Sequence, residues 1–187
     1  MPRQQAPLVK ILVAGASQVG KTSLVQSYVF NDFFDASPTI GINFAQKVSL
    51  GEQGPLNLSI WDLSGELRFR FLIPQFCSGA LGLILVFDQA HSDTLEASIE
   101  WLEFIGRYAH PFHRKAIVLV GAKSDLRSQV PLHEINTFCS KHKIAAFISC
   151  SAKTGVNVHR VFERLTTIIQ QNLSELAFPP LPQLAVS

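Results

Sequence analysis

The pattern of apolar and polar residues divides the chain into strands and helices that alternate along most of its length. Continuous apolar runs, which are typical of strands buried on both faces, predict strands at 8–15, 82–88, 116–122 and 145–151. The stretches between and after them predict helices at 21–30, from Ser92 through Ile105, at 132–142 and at 156–173. Strands separated by helices favour a mostly parallel sheet that is covered on both faces.

Two further segments alternate apolar and polar residues one by one, as strands with one polar face do. They are INFAQKVSL (42–50) and LNLSIWDL (56–63), and the glycine-containing stretch GEQGP joins them. This arrangement predicts a β-hairpin that adds one antiparallel edge strand to the sheet. The predicted fold class is therefore α/β, with the element order β-α-β-β-β-α-β-α-β-α.

Local signals refine the boundaries of these elements and of the domain. Ser92 is a residue type that commonly caps helices, so we expect its side chain to cap the helix that follows. The proline-containing C-terminus, AFPPLPQLAVS (177–187), predicts a flexible or extended tail. A length of 187 residues is typical of one domain, which we expect over 1–176.

Composition narrows the classes of protein to which the chain can belong. Hydrophobic residues make up 47% of the chain and charged residues 16%, which is enough for one substantial core. The formal net charge is +2 without a basic run, which disfavours binding to nucleic acid or to an anionic membrane. The longest apolar stretch, 80–87, is far shorter than the roughly 18 residues of a membrane span. Cys77, Cys139 and Cys150 lack paired spacing, which favours reduced thiols and a cytoplasmic location.

The stretch GASQVGKT (15–22) carries the clearest chemical signal in the sequence. Two glycines five positions apart precede Lys21 and Thr22, between a predicted strand and a predicted helix. Glycines let backbone N–H groups approach a phosphate closely, and the start of the helix adds partial positive charge. In such a loop the lysine reaches the β- and γ-phosphates and the hydroxyl binds Mg²⁺. The sequence therefore predicts a nucleoside triphosphate site with magnesium.

Three other polar stretches lie where predicted strands end. WDLSGE (61–66) contains Asp62 and Gly65, while GAKSDL (121–126) and SCSAK (149–153) follow two apolar strands. An Asp at a strand end can hold Mg²⁺ through water, and a glycine N–H can meet a γ-phosphate. Because the carboxyl ends of parallel strands share the edge where open α/β sheets bind ligands, we expect all four stretches to converge on one site.

Together these stretches resemble the Ras-type small GTPases, and most closely their Rab branch, over residues 8–173. Besides the phosphate loop, the resemblance rests on SPTIGINF (37–44), WDLSGELRFR (61–70), AKSD (122–125) and SAK (151–153). It implies a six-stranded sheet with five helices that binds GTP or GDP with Mg²⁺ and hydrolyses GTP. It also implies a molecular switch with two mobile loops, residues 31–41 and 63–76, that meet effector, exchange-factor and GTPase-activating proteins.

The resemblance assigns roles to individual residues. Thr39 would join Mg²⁺ and the γ-phosphate, and the implied metal ligands are Thr22, Thr39 and Asp62. Asp125 would accept hydrogen bonds from guanine N1–H and the exocyclic amine, since a carboxylate offers only acceptors. The Ala152 N–H would meet the guanine carbonyl. The implied nucleotide-binding residues are Ser17, Gln18, Val19, Gly20, Lys21, Thr22, Ser23, Phe33, Thr39, Gly65, Ala122, Lys123, Asp125, Leu126, Ser151, Ala152 and Lys153, and the implied catalytic residues are Lys21, Thr39 and Glu66.

Several positions depart from the family pattern. The base motif normally begins with Asn, and here Ala122 removes a side chain that bridges the base and the phosphate loop. At about 0.5–1.5 kcal/mol per hydrogen bond, we expect weakened but retained affinity. Gln18 stands where the family often has Gly. The first switch loop is about one residue shorter than in the Rab pattern, so Phe33, Phe34 or neither packs on the guanine, and Phe33 is preferred.

The residue after Gly65 is normally a Gln that orients the attacking water, and here it is Glu66. A carboxylate has no N–H to donate and places an anion near the triphosphate, so we expect slow hydrolysis. The alternative is a surface glutamate in a mobile loop.

Three functional classes remain open at this stage. The first is a GTP/GDP switch with slow hydrolysis, and the second is a non-hydrolysing nucleotide-binding scaffold that acts through protein–protein interaction. The third, a kinase-like ATP enzyme, leaves AKSD unexplained. No cysteine follows Cys150, so we expect no prenyl membrane anchor. FPPLP is either a proline-rich ligand segment or part of a plain flexible end, and we expect a monomer.

Overall fold

The protein forms a six-stranded sheet with helices on both faces, as described by a computed structural model for residues 6–33, 37–51, 54–109 and 116–177. The strands are β1 (Leu8–Ala14), β2 (Ile42–Gly51), β3 (Gly54–Leu63), β4 (Ala80–Asp88), β5 (Ile117–Ala122) and β6 (Ala146–Ser149). The α-helices of the described residues are α1 (Lys21–Phe30), α2 (Pro74–Cys77), α3 (Asp93–Tyr108), α4 (Leu132–His142) and α5 (Val158–Ala177). A 3₁₀ helix, Leu67–Leu72, precedes α2.

The sheet is mostly parallel, with the strand order β2-β3-β1-β4-β5-β6. Only the β2–β3 pair is antiparallel within the described residues, and its register runs from Ile42 opposite Leu63 to Gly51 opposite Gly54. The other four pairs are parallel. This arrangement confirms the predicted α/β fold. It also brings the carboxyl ends of β1, β3, β4, β5 and β6 to one edge of the sheet.

Side chains of alternate residues on the central strands build a separate core on each face of the sheet. On β1, Ile11 and Val13 join the core beneath α1 and α5, while Leu12 and Ala14 join the core beneath α3 and α4. All four side chains are fully buried. The strand is therefore apolar at every one of these positions, as its continuous hydrophobic run indicated.

The segment between β3 and β4 contains structure that the hydrophobic pattern did not predict. Residues 67–72 and 74–77 form two short helical pieces inside what we expected to be a mobile loop. Ile73 and Cys77 are completely buried against the α3 side of the sheet. Tertiary packing, rather than local periodicity, fixes this segment.

Ser92 occupies the N-cap position of α3, as predicted, but its side chain does not cap the helix. Ser92 itself has helical backbone angles (φ −63°, ψ −32°), and its side chain makes no capping hydrogen bond. The neighbouring Thr94 hydroxyl instead donates to the His91 carbonyl at 2.6 Å and accepts from the Asp88 N–H at 2.9 Å. The start of α3 is thus tied to the end of β4 by a threonine inside the helix.

Two features of the described residues relate to the composition of the chain. Cys77, Cys139 and Cys150 are free thiols. Within the described residues, no helix is both long enough and apolar enough to cross a membrane. Residues 178–187, which make up all but the first residue of the predicted tail, lie outside the described part of the chain.

Candidate functional site

A cavity of about 410 Å³ opens at the carboxyl edge of the sheet and collects all four polar stretches. Fifteen of the seventeen residues implied for nucleotide binding, together with Glu66, contribute to its wall. The wall residues are Ser17, Gln18, Gly20, Lys21, Thr22, Ser23, Leu24, Phe33, Ser37, Pro38, Thr39, Ser64, Gly65, Glu66, Val120, Ala122, Lys123, Asp125, Leu126, Cys150, Ala152 and Lys153. Val19, Asp62 and Ser151 do not line it. All three are buried. Val19 belongs to the core. Asp62 and Ser151 lie behind the wall, where they form hydrogen bonds with Thr22 and Asp125.

Backbone geometry explains the glycines of the phosphate loop. Gly15 has φ +148° and lies so close to the Val86 carbonyl that any Cβ would overlap it. Gly20 has φ +100°, a conformation that other residues rarely adopt. Gln18 also has a left-handed backbone, with φ 62°. This conformation costs a non-glycine residue about 1–2 kcal/mol, which accounts physically for the family's glycine at this position.

Helix α1 begins inside the loop, at Lys21. The residue before it, Gly20, has no side chain that could cap the first turn. The first N–H groups of an α-helix have no partner within the helix, and they carry its partial positive charge. Lys21, Thr22 and Ser23 line the cavity, so the first turn of α1 borders it and is suited to an anion.

The Lys21 ammonium group lies against the backbone on the inside of the phosphate loop. Its side chain is 5% exposed, and its Nζ donates to the carbonyls of Gly15 at 3.0 Å and Ala16 at 2.6 Å. Burial lowers the Lys21 pKa to about 8, and the charge of Asp62 partly opposes this shift. The ammonium group therefore lies at the cavity, where its hydrogen-bond partners among the described residues are two backbone carbonyl oxygens.

Three oxygen-bearing side chains meet beside Lys21. The Thr22 hydroxyl donates to Asp62 Oδ2 at 2.6 Å and lies 2.7 Å from the Thr39 hydroxyl. The Thr39 hydroxyl is 3.4 Å from the same carboxylate oxygen. These contacts bring together residues from α1, from the segment before β2 and from the end of β3, as predicted for the metal ligands.

The Asp62 carboxylate has the chemistry that a hard cation prefers. It is 1% exposed, and its Oδ1 is buried without a hydrogen-bond partner. Burial raises the Asp62 pKa, while the Thr22 hydrogen bond and the Lys21 charge act in the opposite direction. Mg²⁺ favours oxygen ligands and few carboxylates, so the residues fit this ion. No cluster of three or more His, Cys, Asp or Glu among the described residues offers a rival metal site.

Gly65 connects the segment after β3 with the phosphate loop. A Cβ at Gly65 would overlap the backbone of Ala16 and Ser17, so no other residue fits there without displacing one of the two loops. Next to it, the Glu66 carboxylate accepts a hydrogen bond from Arg68 Nε at 2.8 Å. Glu66 thus lines the cavity with one oxygen already engaged by a neighbouring cation.

The opposite end of the cavity is built by the loops after β5 and β6. The Ser151 hydroxyl donates to Asp125 Oδ1 at 2.6 Å, which fixes the carboxylate from behind. Lys123 Nζ pairs with Asp88 at 2.7 Å. The Ser27 hydroxyl donates to the Ala152 carbonyl at 3.2 Å and holds this loop against α1.

Ala122 stands between the two ends of the cavity. A Cβ built at Gly20 would lie 3.6 Å from the Ala122 Cβ, so the side chain at 122 borders the phosphate loop directly. Phe33 lines the cavity, whereas the alternative aromatic residue, Phe34, lies outside the described residues. Sequence reasoning missed Leu24, Val120 and Cys150 as wall residues, because their apolar character indicated only a core.

The comparisons with known proteins agree with this geometry. The model of the Ras family matches residues 10–171. The chain belongs to the Ras family. Members of this family are nucleotide-binding switches with GTPase activity, and they generally bind GTP or GDP with Mg²⁺ and interact with effector and regulator proteins.

Similar proteins carry Rab or related names. The chain is 40% identical over 172 residues to the Ras-related protein RABC1 of Arabidopsis thaliana, covering 89% of this chain and 79% of that protein. It is 37% identical over 169 residues to the GTP-binding protein ypt4 of Schizosaccharomyces pombe, covering 87% and 71%. It is 33% identical over 170 residues to human Rab-3A, covering 90% and 76%. These similarities confirm the resemblance to the Rab branch.

A row of aromatic side chains comes from β2, from β3 and from the segment between β3 and β4. The aromatic rings of Phe44, Trp61 and Phe76 form a row, with 5.0 Å between the centroids of each neighbouring pair. Leu67 and Phe71 flank it and are 69% and 75% exposed. Side chains this apolar and this exposed are suited to burial against another protein.

Arg70 fixes the far end of this surface to α3. Its guanidinium lies 5.1 Å from the ring centroid of Trp101 and 5.7 Å from that of Phe104. It also pairs with the Glu100 carboxylate at 3.1 Å. The 3₁₀ helix that contains Arg70 is therefore anchored on a rigid element.

Proposed function

We propose that the protein is a guanine-nucleotide switch that binds GTP or GDP with Mg²⁺ and hydrolyses GTP slowly. One observation carries the proposal. A single cavity has the Lys21 ammonium and the Thr22–Thr39–Asp62 oxygens at one end and the acceptor-only carboxylate of Asp125 at the other. Cation and metal-ligand chemistry suit a polyphosphate, and a paired acceptor suits a base with two adjacent donors.

At the phosphate end of the cavity, both backbone N–H groups and side chains would bind the ligand. The first N–H groups of α1 would bind the phosphate oxygens, and Lys21 would turn from its two carbonyl partners to the β- and γ-phosphates. Thr22, Thr39 and Asp62 would hold Mg²⁺, which when bound neutralises charge on the phosphates. Gly65 would offer its N–H to the γ-phosphate from the opposite side.

The base end selects guanine through its donors and acceptors. Asp125 would accept from guanine N1–H and the exocyclic amine, a pair of donors that adenine does not present. The hydrogen bond from Ser151 holds that carboxylate in place and therefore supports its selectivity. The Ala152 N–H would meet the guanine carbonyl, the Lys123 stem would lie along the base, and Phe33 would pack on it.

Slow hydrolysis follows from the chemistry of Glu66. In-line attack requires a water that is oriented by a group able both to donate and to accept. An ionised carboxylate only accepts, and the hydrogen bond from Arg68 already occupies one of its oxygens. Chemistry at the γ-phosphate then depends on Lys21 and Thr39, or on an arginine from a partner protein.

Partner proteins would bind through residues 31–41 and 63–76, where the exposed apolar side chains gather. We further propose that residues 1–176 form the functional domain and that 177–187 is an accessory tail. Free thiols and the lack of a basic run favour a cytoplasmic monomer that does not bind nucleic acid.

A second function, a nucleotide-binding scaffold that does not hydrolyse GTP, is favoured by the Glu66–Arg68 pair and by Ala122. The experiment that separates the two identifies the nucleotide that copurifies with the protein and then titrates GDP and ADP with Mg²⁺. Copurified GDP and strong preference for GDP over ADP support the switch. Persistent GTP, or no nucleotide, supports the scaffold, and equal affinity for ADP contradicts guanine selection.

A further inference from the structure

The inner wall of the cavity is apolar. Behind Gly20 the wall is formed by Leu24 from α1, Val120 and Ala122 from β5, and Cys150 after β6. All four of these wall residues are at most 7% exposed. Three carry only hydrocarbon side chains, and burial raises the pKa of the Cys150 thiol to about 12, so it stays neutral. A neutral thiol is a weak hydrogen-bond donor. These four side chains therefore offer shape but no strong hydrogen bond.

The position of Ala122 decides which part of a nucleotide meets this wall. Ala122 borders Gly20 of the phosphate loop and precedes Asp125 by three residues. The inference rests on the proposed function, in which phosphates lie at Lys21 and the guanine N1 edge lies at Asp125. With the guanine carbonyl turned towards Ala152, the edge that continues towards the phosphate loop is the five-membered ring. Position 7 of the purine then faces Ala122.

We propose that this wall makes no hydrogen bond to position 7 of the purine, so that the protein binds guanine nucleotides altered there at least as tightly as unaltered ones. N7 is a hydrogen-bond acceptor, and the Ala122 methyl cannot donate to it. An asparagine at this position, which the family pattern implies, would add three heavy atoms and an amide donor. Ala122 supplies neither this donor nor this bulk. The class of ligands therefore extends to guanine nucleotides with CH or a small apolar group at position 7.

The direct test compares three nucleotides on the full chain in the presence of Mg²⁺. GDP carries the N7 acceptor, 7-deaza-GDP replaces it with CH, and 7-deaza-7-methyl-GDP adds a methyl group at the same place. The wild-type dissociation constants for the two 7-deaza compounds should be no more than about twofold above that of GDP, because no hydrogen bond is lost and the replacement of N7 avoids burying an acceptor without a partner.

Ala122→Asn should restore discrimination. It should bind GDP more tightly than wild type and prefer GDP over 7-deaza-GDP by about 3- to 10-fold, as expected for one hydrogen bond. The matched control is Ala122→Leu, which has similar bulk and no donor. It should reject the 7-methyl compound on size but bind GDP and 7-deaza-GDP equally. A thermal melt of each variant verifies that it is folded.

Two results would overturn the inference while leaving the proposed function intact. If the wild type prefers GDP over 7-deaza-GDP by fivefold or more, another group reads N7. If Ala122→Asn keeps a ratio near one, position 122 does not face N7. Failure of the proposed function looks different, because GDP itself would then bind no better than ADP in the first titration, and the inference would fall with it.

Discussion

Ser151 and Asp125, 26 positions apart in sequence, are joined by a hydrogen bond of 2.6 Å that runs from the serine hydroxyl to the carboxylate. The bond uses Oδ1 and holds the carboxylate plane in one orientation. Because the donor comes from the loop after β6, the orientation of a carboxylate after β5 depends on the pairing of these two strands. The geometry makes Asp125 the most direct target for a change in base specificity.

Asp125→Asn should exchange guanine for xanthine specificity. One acceptor becomes an N–H donor that faces the guanine amine, whereas xanthine presents a carbonyl there. GDP affinity should fall by roughly 10- to 100-fold, since hydrogen bonds to a charged group contribute about 1.5–3 kcal/mol, and xanthosine diphosphate affinity should rise. Titration of both nucleotides measures the exchange. Unchanged GDP affinity would remove Asp125 from the base site.

The cluster of Thr22, Thr39 and Asp62 predicts a dependence of nucleotide release on magnesium. Thr22→Ala, or addition of EDTA, should speed the release of a fluorescent GDP by about 10-fold, equivalent to ~1.4 kcal/mol. Thr22→Ser keeps the hydroxyl and serves as the control. Equal off-rates with and without Mg²⁺ would exclude these residues as its ligands.

The lowered pKa of Lys21 predicts that GDP affinity falls above pH 8. In the free protein Lys21 loses its proton near pH 8, whereas beside a phosphate it stays charged. Binding must then take up a proton, so the affinity should decrease by up to about tenfold per pH unit above 8. Lys21→Arg stays cationic and shows the pH dependence of the nucleotide alone. Parallel profiles for wild type and variant would contradict the pKa shift.

The contribution of Lys21 to the stability of the nucleotide-free protein should increase above pH 8, whereas the GDP affinity decreases there. Between pH 8 and 10.5 the unfolded chain keeps the Lys21 proton that the folded protein has lost. Because the unfolded state binds more protons in this window, the contribution of Lys21 to the free energy of unfolding rises with pH. Urea titrations of wild type and Lys21→Met at pH 8 and 10 should show this difference, and an equal pH response in both would refute it.

Local sequence signals were sufficient for the fold and for the position of the site. Apolar runs predicted four strands, alternating apolar and polar residues predicted the other two, and the glycines of residues 15–20 predicted the loop, because each of these signals acts over only a few neighbouring residues. The left-handed backbone of Gln18 could not be predicted from the sequence. Ser92 was placed correctly at the start of α3, but its helical backbone angles and the absence of a side-chain capping hydrogen bond could not be predicted from the sequence.

Contacts between segments that are distant along the chain could not be predicted from the sequence pattern. Neither the 3₁₀ helix at 67–72 nor the pairing of Arg70 with α3 follows from periodicity, since both depend on packing against a helix 30 residues away. Cys150 is a similar case. Its place in an apolar strand predicted a core residue, and only the assembled sheet brings it to the cavity wall.

Glu66→Gln should raise single-turnover GTP hydrolysis. The amide can both donate and accept, so it can orient the attacking water, and the expected gain is ~10-fold, or about 1.4 kcal/mol of barrier. GDP affinity should barely change, because GDP has no γ-phosphate. Quenched single-turnover assays at saturating Mg²⁺ give the rates.

Two further variants separate the effects of charge and hydrogen bonding at this position. Glu66→Ala removes the carboxylate without supplying an amide and should remain slower than Glu66→Gln. Arg68→Ala frees the carboxylate from its hydrogen bond and should not reach the rate of Glu66→Gln. A Glu66→Gln variant slower than wild type would mean that Glu66 belongs to a working catalytic arrangement.

Deleting residues 178–187 should leave folding and nucleotide binding unchanged. The residues of both described cores lie between Val9 and Ile169, so the deletion removes none of them. The midpoint of thermal unfolding and the GDP dissociation constant provide the measurement. A large drop in the midpoint would show that the tail packs on the domain.

The anchoring of Arg70 on Trp101 and Glu100 limits how far the nucleotide can move the protein surface. Gly65 rests on the phosphate loop at one end of the segment, and Arg70 is fixed at the other, so only residues 66–69 lie between two supports. Four residues reach at most about 14 Å when extended. We therefore expect a change at the γ-phosphate to reorient the side chains of residues 66–69 more than it displaces the 3₁₀ helix from α3. Spin labels on the 3₁₀ helix and on α3 should keep a narrow distance distribution in both nucleotide states, and a partner would distinguish those states by local shape alone.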